Sequence, residues 1–196
     1  MPYDAAINKA WGELEKLSQV DKYKVKLLKC TYEVDLKLKS ITLAPSTAAV
    51  TENHLVILLL HYLIGSSVPL KEQKGLSGEW ISFKEIEGGE AYYPAFYNSV
   101  IKPLLIRYGD NPESIYSAVT ALNGRRLTEG DVSVEFVTFQ DVRVRIIFWK
   151  ADSEFGPEAN ILFDKNITKI YSMEDIAVFA HFVVSQLTSE AKCVKH

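Results

Sequence analysis

Apolar side chains at Ile7, Ala10, Trp11, Leu14 and Leu17 repeat every three or four positions, which lays one stripe along a helix and predicts a helix over 3–17. The period then changes. Tyr32, Val34, Leu36 and Leu38 alternate with Glu33, Asp35, Lys37 and Lys39, the pattern of a strand with one wet face, and two strands are expected within 23–43. Ala44-Pro45-Ser46-Thr47 interrupts this run. Thr51 is placed to cap a helix over 52–64 that is apolar on every side, so it is expected to be the most buried, central helix, ended by Gly65-Ser66-Ser67.

Residues 68–89 read as a long loop with a short extended piece at 79–83. Beyond Gly88-Gly89, the stripe Tyr93, Phe96, Tyr97, Val100, Ile101, Leu104 and Tyr108 predicts a helix over 90–108. Pro103 lies inside it and should kink it, because proline removes a hydrogen bond and crowds the Ser99 carbonyl. Asn111-Pro112-Glu113 opens another helix, which ends at Asn123-Gly124. Alternation in Val132, Val134 and Phe136, then in Val142, Val144, Ile146 and Phe148, predicts an antiparallel hairpin over 131–150 with Gln140-Asp141 at its bend. Ser172, with Asp175 three residues on, caps a last helix striped by Ile176, Phe179, Ala180, Val183, Val184 and Leu187.

No strand–helix–strand alternation emerges, so the expected fold class is α+β: a single globular domain over 1–190, with the hairpin 131–150 and the strands of 23–43 packed with about five helices around the buried helix 52–64, and a flexible tail over 191–196. A chain of 196 residues fits one core. The net charge of −3 disfavours a general nucleic-acid binder, and the longest apolar run, Leu55–Leu60, is far shorter than a membrane span, so neither nucleic acid nor membrane is an expected partner. Two cysteines, Cys30 and Cys193, make no disulfide framework, and the N-terminus carries no signal-peptide pattern; both point to a reducing, cytoplasmic setting.

Four constellations bear chemistry. His54 and His61 lie nearly two turns apart on one helix, about 10 Å along its axis, too far to chelate one ion. His61 alone suits an axial ligand or a proton carrier, though a core histidine bonded to backbone or to a carboxylate is the commoner role. In the aromatic group Trp80, Phe83, Tyr92, Tyr93, Phe96 and Tyr97, only Trp80 and Tyr92 fall off the helical stripe, which makes them candidates to wall a pocket for a flat ligand. Asp152, Glu154, Glu158 and Asp164 offer carboxylates for acid–base work or a hard cation, against the ordinary role of a solvated turn; a calcium-loop pattern is absent. Arg125-Arg126 with Arg143 and Arg145 suit a phosphate or carboxylate, against a solvated sheet face on which Glu135 is the partner across the hairpin. Phosphate-loop, dinucleotide, nucleophile-elbow and zinc-protease motifs are missing, and without Cys-x-x-Cys this chain holds no iron–sulfur cluster of its own.

Leu58-Leu59-Leu60-His61-Tyr62-Leu63, Gly78-Glu79-Trp80-Ile81-Ser82-Phe83 with Gly88-Gly89, and Asp152-Ser153-Glu154-Phe155 through Phe163-Asp164 to Glu174-Asp175-Ile176-Ala177 resemble a domain-of-unknown-function family of anaerobic bacteria and methanogens, over about Glu52 to Leu187. Some members of that family carry an added iron–sulfur-binding segment, so the resemblance implies an iron–sulfur protein as a possible partner and a tetrapyrrole, corrinoid-like cofactor as a possible ligand. Together these give the preferred reading: a non-catalytic ligand-binding or accessory protein that holds a flat cofactor against Trp80 and Tyr92, with polar contacts from His61 and Tyr62 and acid groups met by Arg143 or Arg145. No catalytic residue and no metal ligand is assigned. The alternatives are an enzyme using Asp152, Glu154 or Asp164 with His61, and a protein-interaction module.

Overall fold

The period-two segments pair antiparallel. In the computed structural model, which describes residues 2–67 and 76–188, β1 (Lys22–Leu27), β2 (Cys30–Asp35), β3 (Ser40–Ala44) and β4 (Ala48–Ala49) form one sheet in that order. The alternation through Leu38 predicts a longer second strand and only two strands in this region. The chain instead turns after Asp35, whose Oδ1 accepts the Leu38 amide at 3.0 Å, and Leu38 is left 75% exposed. A carboxylate that captures a backbone N–H three residues on offers the chain a turn in place of a ladder. Alternation cannot reveal that, because an exposed leucine in a turn has the same letter as a buried one in a strand.

The second sheet holds β5 (Trp80–Ser82), β6 (Arg125–Leu127), β7 (Val132–Phe139), β8 (Val142–Trp149) and β9 (Glu158–Asp164), in the order β5-β9-β8-β7-β6. The expected hairpin is β7–β8, with Val134 opposite Ile146, Glu135 opposite Arg145, and an irregularity between Val137 and Phe139. Val134, Phe136, Val144, Ile146, Ile161 and Phe163 are all fully buried on its inner face. Glu135, Arg143 and Arg145 alternate with them and stand on the outer face.

The helices are α1 (Pro2–Leu17), α2 (Asn53–Ser67), α3 (Gly89–Phe96), α4 (Lys102–Tyr108), α5 (Tyr116–Ala121) and α6 (Met173–Thr188). Every residue of α2 from Leu55 to Leu60 is buried, as are Tyr62 and Leu63, and the helix packs against α1 and α6. The kink expected at Pro103 takes another form. The chain runs from α3 to α4 through a π-helical turn over Tyr97–Ile101, where the Lys102 amide reaches back to the Tyr97 carbonyl. Pro103 has no N–H for the Ser99 carbonyl, and that carbonyl accepts from His181 Nδ1 of α6 at 3.1 Å. A carbonyl only accepts, so Nδ1 of His181 carries the proton.

Among the described residues no helix is long and apolar enough to cross a membrane. Cys30 is buried. Cys193, the tail 191–196 and residues 68–75 of the expected loop lie outside the described residues.

Gly65, inside α2, tests how tightly this helix is covered. A Cβ there would lie 2.7 Å from both the Cα and the carbonyl oxygen of Ile170. Glycine to alanine inside a helix ordinarily gains up to about 1 kcal/mol, whereas overpacking against backbone costs about 1–3 kcal/mol. Gly65→Ala is therefore expected to destabilise the protein by roughly 1–2 kcal/mol in urea unfolding, and a stabilised variant would show that the contact is loose.

Candidate functional site

On the outer face of the second sheet, register brings three cations from two strands onto one acid. Arg125 of β6 and Arg145 of β8 both stand opposite Glu135 of β7, and Arg143 stands opposite Val137 one step along the same face. Glu135 is 2% exposed. It accepts from Arg125 Nε at 2.9 Å and Nη2 at 3.0 Å, from Arg143 Nη1 at 3.1 Å and from Arg145 Nε at 3.0 Å. Burial pushes its carboxyl pKa up, but the three guanidiniums outweigh that and hold it below the usual range. Arg145 also donates to Glu129 at 2.6 Å, and its guanidinium lies 3.8 Å from the centre of the Trp80 ring.

Two of the expected ligand residues, Arg143 and Arg145, thus share a face with Trp80. Three guanidiniums share two carboxylates, which leaves N–H groups uncommitted: among the described residues Nη1 of Arg125 and Nη2 of Arg143 make no hydrogen bond, and Nε of Arg143 is buried without a partner. The structure does not bring the other expected residues here. Tyr92 is 44% exposed on α3, with its ring centre 6.3 Å from that of Phe83. Tyr62 is buried on α2 and stacks on Phe139, ring centres 4.1 Å apart; burial, with Asp141 nearby, pushes its hydroxyl up to about 12.

His61 is paired with a carboxylate. Its Nδ1 is 2.9 Å from Oδ2 of Asp175. That carboxylate also accepts from the Ser172 hydroxyl, while the Ser172 oxygen accepts the Asp175 amide, so the side chain that caps α6 also ties α6 to α2. The hydrogen bond to Asp175 raises the imidazole pKa, against desolvation; Asp175 and Glu13 of α1 favour the charged ring, and Lys9 of α1 opposes it. His54 instead pairs with Glu52 at 3.2 Å.

Of the acids expected to work with His61, Glu154 is exposed on a turn, and Asp152 and Asp164 hold backbone. Asp152 accepts the amides of Glu154 and Phe155 at 2.8 Å, a turn made by its own side chain. Asp164 lies at the other end of β9, six residues past Glu158 and about 20 Å away at strand rise. It is 1% exposed and accepts from the Ser77 amide and hydroxyl, the Gly78 amide and the Asn166 amide. Burial pushes its pKa up and those donors more than reverse it. Among the described residues no cluster of three or more His, Cys, Asp or Glu is placed to hold a metal ion.

Sequence reasoning missed a cleft of about 390 Å3 between β1 and the end of β7, in which Tyr62 takes part with Lys24, Lys26, Asn123, Val137 and Gln140. No local pattern marks it, since its walls come from β1, α2, α5 and β7. The order of these walls in space belongs to the tertiary fold alone.

A family model described as "Domain of unknown function (DUF3786)" matches residues 8–186. The chain belongs to this family. No curated protein and no solved structure matches it. The family model spans α1 to the end of α6 and therefore includes both sheets, the arginine face and the His61–Asp175 pair.

Two outcomes follow for the DUF3786 chain. Glu135→Gln leaves three arginines around a neutral amide, and removing one partner of a buried ionic cluster costs about 3–5 kcal/mol; with Arg125 at the solvent edge, a loss of roughly 3 kcal/mol is expected in denaturant unfolding, and a loss under about 1 kcal/mol would mean that the cluster is not holding the sheet. His61 has a folded pKa above its ordinary value, so its bond to Asp175 stabilises fully below about pH 6.5 and fades as pH rises through the folded value. The stability difference between wild type and His61→Gln should shrink from pH 5.5 to 8.5, about those limits; a difference that is flat or grows with pH would contradict the assignment.

Proposed function

We propose that this protein is a non-catalytic binding or accessory protein that recognises an acidic small molecule on the outer face of its second sheet. The observation that carries this reading is the arginine cluster itself: three guanidiniums on two carboxylates, with Arg145 held flat on Trp80 and N–H groups of Arg125 and Arg143 uncommitted. A guanidinium fixed by an internal acid keeps its fork oriented, so little side-chain entropy is lost when a ligand carboxylate or phosphate takes the remaining N–H groups. The Trp80 indole beside them suits a ring attached to that acid. Binding is favoured over catalysis because His61, Asp152 and Asp164 are each engaged in holding a helix end, a turn or a loop. The test uses benzoate and phenyl phosphate as probes against 15N-labelled protein. The Arg125 and Arg143 Nε–Hε signals and the Trp80 indole signal are expected to move, and in Arg143→Gln the remaining Arg125 and Trp80 signals should stay in place. Probes that leave all three signals in place would remove the reading.

One observation favours a tetrapyrrole as a second reading. A histidine whose Nδ1 is held by a carboxylate presents Nε2 in the orientation used by metal-bound imidazoles, and the His61 side chain is 32% exposed. Cobalamin and haem titrated separately should then change the visible spectrum in wild type and fail to do so in His61→Ala. An unchanged spectrum with both pigments would end that version and leave the acidic-ligand version standing.

A further inference from the structure

The cleft between the two sheets is lined by none of the charged groups of the arginine face, although Val137 at its lip is the cross-strand neighbour of Arg143. β1 is the edge of the first sheet, and β7 is paired with β6 only as far as Glu135, so the last turn of β7 has an open side. These two open edges meet where the Leu28 amide donates to the Thr138 carbonyl at 2.7 Å. Away from that bond they diverge and enclose about 390 Å3, within the 300–1,000 Å3 range of sites that take small organic molecules.

The walls of this cleft are of two kinds. Val25, Leu28, Leu122 and Val137 give it an apolar side, backed by the Tyr62–Phe139 stack. Val137 is 41% exposed at the lip. Lys24 and Lys26 form the opposing rim. Lys24 has an exposed pairing with Glu33 at 3.1 Å, of the weak surface kind, and Lys26 has no ion-pair partner among the described residues. Asp141 sits near the Tyr62 hydroxyl, so negative charge is disfavoured at that end and favoured at the lysine rim. Leu28 (φ 52°) and Asn123 (φ 55°), which also line the cleft, take the left-handed conformation that the tight β1–β2 hairpin turn and the end of α5 require.

We propose that this cleft is a binding site for a small amphipathic organic anion, with its apolar body against Val25, Leu28, Leu122 and Val137 and its acid group at Lys24 and Lys26. An apolar ligand alone would leave the ammonium groups without an acid, and a bare inorganic anion would leave the apolar wall wet. Only a molecule that carries both parts satisfies both walls.

The test uses two fluorescent probes of similar shape: anilinonaphthalene sulfonate, which is anionic, and N-phenyl-1-naphthylamine, which is neutral. The full chain is expected to bind one sulfonate per molecule and to bind the neutral probe at least tenfold more weakly, the loss of about one charge-assisted contact. Lys26→Glu should weaken sulfonate binding roughly tenfold or more, and Val137→Trp, a change at an exposed lip that leaves the core intact, should block it. Amide shifts in 15N-labelled protein should centre on Lys24–Leu28 and Val137–Gln140. Equal affinity for the two probes, binding indifferent to both substitutions, or shifts centred on Trp80 and Arg145 would each overturn the proposal. The last of these would instead place the anion on the arginine face, so the two sites succeed or fail separately.

Discussion

A helical stretch buried on every side, Leu55 to Leu60 of α2, constrains this molecule most. From Leu55 to Leu60 α2 offers solvent nothing, so each direction around it must be covered, and the cover comes from segments far apart in the chain. α1 covers one side and α6 another, and Phe139, from the end of β7, stacks on Tyr62. Polar side chains then fix how the cover sits. Tyr171 donates its hydroxyl to the Leu58 carbonyl at 2.9 Å, in the middle of α2, and His61 is tied to the residue that caps α6. Burial supplies the non-directional drive; these bonds select one arrangement among the many that would bury the same leucines.

The outer face of the second sheet obeys the opposite logic. Glu135 is a charge buried within a sheet, and such a group is tolerated only when its lone pairs are filled. Arg125, Arg143 and Arg145 fill them from both neighbouring strands, which fixes the register of β6, β7 and β8. A slip of one residue would point these guanidiniums into the core. The same cluster that holds the sheet therefore holds the cationic groups proposed to meet a ligand, and the structural and recognition roles are properties of one set of side chains.

Much of the fold was legible. The hairpin over 131–150, the bend at Gln140-Asp141, the Ser172–Asp175 cap and the burial of 55–60 all follow from local periods and caps, because each depends on residues within a few positions of one another. Glu135 could be named as the arginines' partner because both arms of the hairpin alternate, but the bend left the register open, and the irregularity between Val137 and Phe139 is what sets Glu135 opposite Arg145. Two local features were misread for physical reasons. Leu38 belongs to a turn that the Asp35 side chain closes, and the helix before Pro103 widens into a π turn beside which His181, distant in sequence, takes the carbonyl that proline leaves unbonded.

The site was far less legible. The six residues expected to surround one ligand divide among separate places: Trp80, Arg143 and Arg145 on a sheet face, His61 at a helix cap, Tyr62 at the cleft between sheets, and Tyr92 on α3. Residue type alone told which side chains could bind, and the alternation of β8 told that Arg143 and Arg145 share a face. Composition and periodicity thus settled the class of fold and the inner and outer sides of its elements, since those depend on spacing along the chain. Which elements meet, that Asp175 rather than Asp152 or Asp164 faces His61, and that two sheet edges stop short and leave a cleft were decided by tertiary packing alone, because loop closure brings together residues whose separation in sequence carries no period to read.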